Sequence, residues 1–138
     1  LLLTEKQLTI AVISLILAFQ GEVEATYRTA IEGTERGQAL HSPFSIAVGY
    51  MRQGHAWLLR EEARAYEEAC RCYQQAIEIS DTLAVLRLKV EAYWGLCRAH
   101  GFQNDIVAAE HAASEGLALA ERAGDAFERT CRHGHAFL

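Results

Sequence analysis

Gly21-Glu22-Val23-Glu24-Ala25-Thr26, followed by Ala30 and Glu32-Gly33, is answered 83 residues later by Asn104-Asp105-Ile106-Val107-Ala108-Ala109, followed by Ala113 and Glu115-Gly116. Each stretch opens on a turn residue and then sets small side chains four and three residues apart, on one face of a helix. A third copy lies between them: Tyr66-Glu67-Glu68-Ala69, then Tyr73, then Ala76. A unit that recurs in this way buries its apolar face against the neighbouring unit, so the pattern predicts stacked helical hairpins and a scaffold.

The composition agrees. The chain has 138 residues, 51% of them hydrophobic, with one proline and a net charge of −5. That excludes disorder and fits one domain with a single core. Helix formers dominate, so the expected class is all-α. The negative balance argues against a segment that grips a nucleic acid backbone by itself, and suits a soluble cytoplasmic protein. Cys70, Cys72, Cys97 and Cys131 form no disulfide framework and read as reduced, mostly buried thiols. The apolar run from Leu8 to Phe19 is shorter than the roughly 20 residues that span a bilayer, and no basic segment precedes it. It reads as a helix buried on several sides. The opening Leu1-Leu2-Leu3, without a starting Met, suggests a piece of a larger protein.

Helix signals punctuate the whole chain. Thr4 with Gln7 is a capping box, and the first helix is expected to run to about Gln20. Gly21 breaks it, and a second helix follows from Glu22 to Arg36 or beyond, with Gly37 as its stop. Ser42-Pro43 starts a third helix, expected to end at Gln53 before Gly54. A fourth covers Glu61 to Ile79, a fifth Leu83 to His100 and a sixth Asp105 to Arg122. Gly124-Asp125 is read as capping a seventh near Ala126 to Arg132. No segment alternates with period two, so no strand is expected. The repeats fall at about 4–40, 42–80 and 82–123, with a partial one at 125–138.

The side chains that carry the code follow the tetratricopeptide pattern: a large residue, then Leu-Gly and an aromatic on one helix, then Ala, aromatic and Ala on the next. The third hairpin supplies Tyr93, Leu96-Cys97, His100, Ala109, Ala113 and Gly116. The first supplies Ile10, Ile13-Ser14, Leu17, Thr26, Ala30 and Gly33. The middle one shows Tyr66, Ala69, Tyr73 and Ala76. Spacings of 43 from Thr26 to Ala69 and 40 from Ala69 to Ala109 exceed the usual 34 and approach those of HEAT and armadillo repeats. The stretch from Glu91-Ala92-Tyr93-Trp94-Gly95-Leu96 through Ala120-Glu121-Arg122-Ala123-Gly124-Asp125 resembles the helical repeat region of bacterial transcription activators of the MalT and LuxR type. That resemblance implies an α-α superhelix that binds an inducer or a regulatory protein and controls a separate ATPase and DNA-binding module. Neither a GxxxxGK[ST] phosphate loop nor a basic recognition helix is present in the sequence.

In such a solenoid the first helix of each hairpin lines the concave face. Arg87, Glu91, Trp94 and Arg98 make one stripe on the fifth helix. They are either a binding face with a tryptophan anchor or a solvated face with an Arg87–Glu91 pair. Leu8, Ala11, Leu15 and Phe19 are the corresponding positions of the first helix, and Tyr50 and Gln53 are the candidates on the third. The stretch from Gly54 to Tyr66 is longer than its counterparts, and reads as added helical turns or as a protruding contact element.

Catalytic signals are weak. Cys131, His133 and His135 fall short of a four-ligand zinc site. His100 occupies a packing slot, and His111 has no nucleophile beside it. Glu61-Glu62 and Glu67-Glu68 are sequence neighbours and splay apart. The expectation is a non-catalytic scaffold without cofactor or metal. It would bind a protein or peptide partner or a small inducer, and neither nucleic acid nor membrane. The alternatives are self-association into a homo-oligomer through the apolar first and last hairpins, and a small metal-binding protein.

Overall fold

The computed structural model describes residues 4–132, with side chains as far as residue 124. Those residues form six helices: α1 Glu5–Phe19, α2 Val23–Ala39, α3 Pro43–Leu58, α4 Ala63–Ser80, α5 Leu86–Phe102 and α6 Ile106–Arg132. The cap signals do what their chemistry dictates. The Thr4 amide donates to Gln7 Oε1 (2.7 Å) while the Gln7 amide donates to Thr4 Oγ1 (3.2 Å), so two otherwise orphaned donors satisfy each other. Ser42 Oγ accepts from the Ser45 amide ahead of Pro43, and Asp105 Oδ1 accepts from the Ala108 amide at the start of α6.

Three of the turns are the same object. Gln20, Leu40 and Gln103 end their helices, and the next residue is left-handed in each case: Gly21 at φ 75°, His41 at 50° and Asn104 at 59°. The amide after it reaches back five residues, from Glu22 to Leu17 (3.0 Å), Ser42 to Gly37 (2.9 Å) and Asp105 to His100 (3.0 Å). This is the Schellman closure, which satisfies the last carbonyls of the helix. Only Gly21 enters the left-handed region without a Cβ conflict.

Beyond sequence neighbours, contacts among the described residues join only α1 to α3 and α3 to α5. The hairpins therefore pile up in order, with the odd-numbered helices in one layer, rather than closing into a bundle. The core runs through the middle of the pile. Tyr73 is fully buried there, and its ring lies between the backbones of α3 and α5. A Cβ at Gly54 would come within 2.7 Å of that ring, and one at Gly95 would overlap it. At the hairpin interfaces Gly33 faces Ile10 and Gly116 faces Tyr93, each leaving 3.2 Å for an added Cβ. Small residues let the helices approach, and large ones fill the space this creates.

Several expectations need correction. Gly54 does not end α3, which continues to Leu58. The added length after Gly54 is helix packed on the core, and the turn itself is only residues 59–62. Gly37 does not stop α2; it lies where a Cβ would sit 2.9 Å from the Ile46 amide, so it is a contact of α2 with α3. The first residues of α2, α4 and α6 lie 40 and then 43 residues apart, so α4 starts about one turn earlier relative to Ala69 than α2 and α6 start relative to Thr26 and Ala109. α6 passes through Gly124-Asp125 without a break, so the expected seventh helix is its continuation. A helical glycine costs only about 1 kcal/mol relative to alanine, too little to end a helix between alanine-rich turns. Ala30, Ala69 and Ala76 are buried as the code requires, but Ala113 is exposed, because no described helix lies against that side of α6.

Candidate functional site

Arg52 and His55 stand one turn apart on the same side of α3, a largely apolar helix, and both are buried. Their partner is Glu91 on α5. Arg52 Nη1 donates to Glu91 Oε1 at 2.6 Å and Arg52 Nε to the Ala11 carbonyl at 3.3 Å, so one guanidinium ties α3 to both α5 and α1. His55 Nε2 lies 3.1 Å from the same carboxylate oxygen and Nδ1 lies 2.6 Å from the Tyr73 hydroxyl. An ionised carboxylate only accepts, so Nε2 carries a proton; in the neutral ring Nδ1 then accepts from the tyrosine O–H. Burial alone would raise the pKa of Glu91. The His55 hydrogen bond and the Arg52 charge outweigh it, and the carboxyl sits below its ordinary value. Burial pushes the Tyr73 hydroxyl well above the ordinary tyrosine range.

Above this network lies an open cleft of about 770 Å³, walled by the odd-numbered helices together with Leu59 and Glu61 of the turn after α3 and Tyr66 of α4. Leu15 and Phe19 come from α1, Leu58 from the end of α3, and Trp94, Arg98 and Phe102 from α5. The wall is aromatic and open to solvent: Trp94 is 54% exposed and Phe19 80%. The Arg98 guanidinium lies 4.7 Å from the centre of the Trp94 ring and 5.8 Å from that of Phe102. Phe102 in turn stacks on Tyr66 at 5.2 Å. Stacking holds the arginine in a cation–π shelf while leaving its charge at the cleft. On the other side of Trp94, Arg87 and Val90 face Ala120 and Ala123 of α6 across a second groove of about 640 Å³.

Of the residues singled out in the sequence, Glu91, Trp94 and Arg98 meet in the first cleft, and Arg87 borders the second groove with Glu91 and Trp94. Glu91 is paired across to α3 rather than with Arg87 on its own helix. Tyr50 and Gln53 do not line the cleft. Gln53 is buried and donates to Thr34 Oγ1 at 2.8 Å, towards α2, and Tyr50 packs on the core. They lie on the far side of α3 from Arg52 and His55, since each step along a helix rotates a side chain by about 100°. On α1, Leu15 and Phe19 line the cleft as expected, whereas Ala11 contributes its carbonyl to Arg52.

The thiols are quiet. Cys70 and Cys72 are buried, Cys97 is half-buried, and none is in a disulfide. Burial, then the Asp105 charge, pushes Cys70 up to about 11; burial, then Glu68, pushes Cys72 up to about 12. His100 is half-buried with Nδ1 3.8 Å from Cys70 Sγ. The Cys131, His133 and His135 side chains lie outside the described residues; among those described, no cluster of metal-ligating residues occurs. No described helix is long and apolar enough to cross a membrane. Comparison with protein-family models, with curated proteins and with solved structures returned no match.

Proposed function

We propose that this chain is a non-catalytic scaffold of tetratricopeptide-like hairpins that binds a protein or peptide, or a small inducer, in the cleft between its odd-numbered helices. The observation that carries this reading is the row Phe19, Trp94 and Phe102 at an open cleft, with Arg98 stacked on Trp94 and the charges beneath already paired internally. Exposed aromatic side chains beside a guanidinium that has no ion-pair partner among the described residues are what interface anchors are made of. The groups with acid–base chemistry are held otherwise: Glu91 is ion-paired and Tyr73 is sealed in the core. The resemblance of the stretch from Glu91 to Asp125 to MalT and LuxR-type activators adds a regulatory role. In that role the ligand would shift how the repeat segment contacts the rest of a cytoplasmic transcription regulator.

The test is binding to an array of synthetic peptides with aromatic and acidic residues, followed by calorimetric titration of the tightest peptide. Trp94→Ala and Arg98→Ala each lower its affinity about 30-fold, the scale of an interface anchor, with unchanged helical circular dichroism. Equal affinity in all three proteins contradicts the cleft as the binding site.

A further inference from the structure

The 83-residue correspondence reaches past the turns. Gly33 meets Ile10 as Gly116 meets Tyr93, at the same 3.2 Å, so the first and third hairpins are in register position by position. In α2, Ala30, Thr34 and Gly37 are buried, and Thr34 and Gly37 press on Gly49 and Ile46 of α3. Their counterparts on α6 are Ala113, Leu117 and Ala120. All three are exposed, Leu117 at 62%. The odd-numbered helices show the complementary half. In α5, Ala92, Gly95, Leu96 and Ala99 are buried, and Gly95 lies against Tyr73 of the preceding α4. Their counterparts on α1 are Thr9, Val12, Ile13 and Ile16, and all four are exposed.

Thus α6 carries the face that in α2 receives an odd-numbered helix, and α1 carries the face by which such a helix sits on the one before it. The turn that lays α3 onto α2 runs through the left-handed His41. Its counterpart is Gly124, which lies inside α6, so no described helix folds back onto this face by that turn.

We propose that α1 of a second copy of this chain docks on α6, in the groove between Ala120 and the Val90–Trp94 side of α5. The contact repeats between molecules the junction that α2–α3 and α4–α5 make within one. Val12, Ile13 and Ile16 supply the apolar ridge, and Leu117 takes the place that Thr34 holds in the first hairpin. The two faces differ, so the association is head-to-tail and extends beyond a dimer. The groove shares Glu91 and Trp94 with the cleft, but the docking does not rest on what the cleft binds.

Sedimentation of the full 138-residue chain over a wide concentration range tests this. The mass is expected to rise from 15.3 kDa past twice that value with increasing concentration. Leu117→Glu and Ile16→Glu lie at exposed positions, and each is expected to hold the chain at monomer mass. An equimolar mixture of the two forms a dimer and stops there, since one intact face of each kind remains. Ala120→Glu and Val12→Lys are a second such pair, should either first variant lose its helical signal. A wild-type mass that stays at the monomer value overturns the proposal. So does association that only the α1 variant, or only the α6 variant, abolishes, because that is the mark of like faces pairing.

Discussion

Ala30 in the first hairpin is sealed in the core, while Ala113, its counterpart 83 residues on, faces solvent. Yet the two hairpins close through the same turn, hydrogen bond for hydrogen bond, and both press a glycine of the second helix on a large residue of the first. Caps, turn and small-residue code therefore determine the hairpin. Whether the outer face of that hairpin is buried depends on a neighbour, which α2 has in α3 and which α6 lacks among the described residues. The middle of the pile shows the opposite extreme: α4 is covered on both sides, and its Tyr73 is the largest fully buried side chain among the described residues.

This contrast between a covered middle and open ends can be broken most severely at the glycines around Tyr73. Gly95→Ala puts a Cβ into the ring, and we expect a loss of about 3 kcal/mol or more by urea denaturation, at the upper end for overpacking. Gly101→Ala, on the same helix with nothing within 4 Å of the added carbon, should stabilise by up to about 1 kcal/mol through helix propensity. Equal effects at the two sites would mean that Tyr73 is not clamped between α3 and α5.

A smaller loss is expected where the layers are stitched by charge. Glu91→Leu strands buried Arg52 and His55. Breaking a fully buried pair costs about 3–5 kcal/mol, but the Glu91 side chain is 34% exposed, so we expect about 2 kcal/mol. The pH dependence has a definite sign. The folded-state pKa of Glu91 is lowered, so its contribution is fully present above the ordinary glutamate value of about 4.3 and is lost as pH falls through the lowered native value. Urea midpoints measured from neutral to acid pH should show this loss in wild type and a weaker one in Glu91→Gln. The smallest effect is expected at the turns: Asn104→Gly relieves a left-handed residue and should raise stability by at most about 1 kcal/mol, whereas Gly21→Ala should lower it by a similar amount.

Much of this was legible in the residues. Thr4-Gln7, Ser42-Pro43 and Gly21 act locally, so their reading needs no knowledge of the rest of the fold, and they fall where they were expected. The Trp94 stripe was legible because an amphipathic helix in a stack has only one direction left open. Gly54 and Gly37 read as helix stops but are packing contacts, since the sequence does not say whether a glycine serves the backbone or a neighbour's side chain. The sequence register points Gln53, rather than Arg52 and His55, at the cleft, and one residue of register turns a side chain by about 100°. The available signal was an arginine and a histidine one turn apart in the apolar run Met51-Arg52-Gln53-Gly54-His55-Ala56-Trp57-Leu58. Their partner, Glu91, is 36 residues beyond His55, and no local pattern links them.

The most direct test of stacking as the cause of burial is a matched pair of substitutions at the repeated alanine. Thermal and urea unfolding should show Ala30→Leu destabilised by about 1–3 kcal/mol, as expected for overpacking between helices. Ala113→Leu should stay within about 0.5 kcal/mol of wild type under conditions where the chain is monomeric. Equal losses at both positions, or a larger loss at Ala113, would contradict the account.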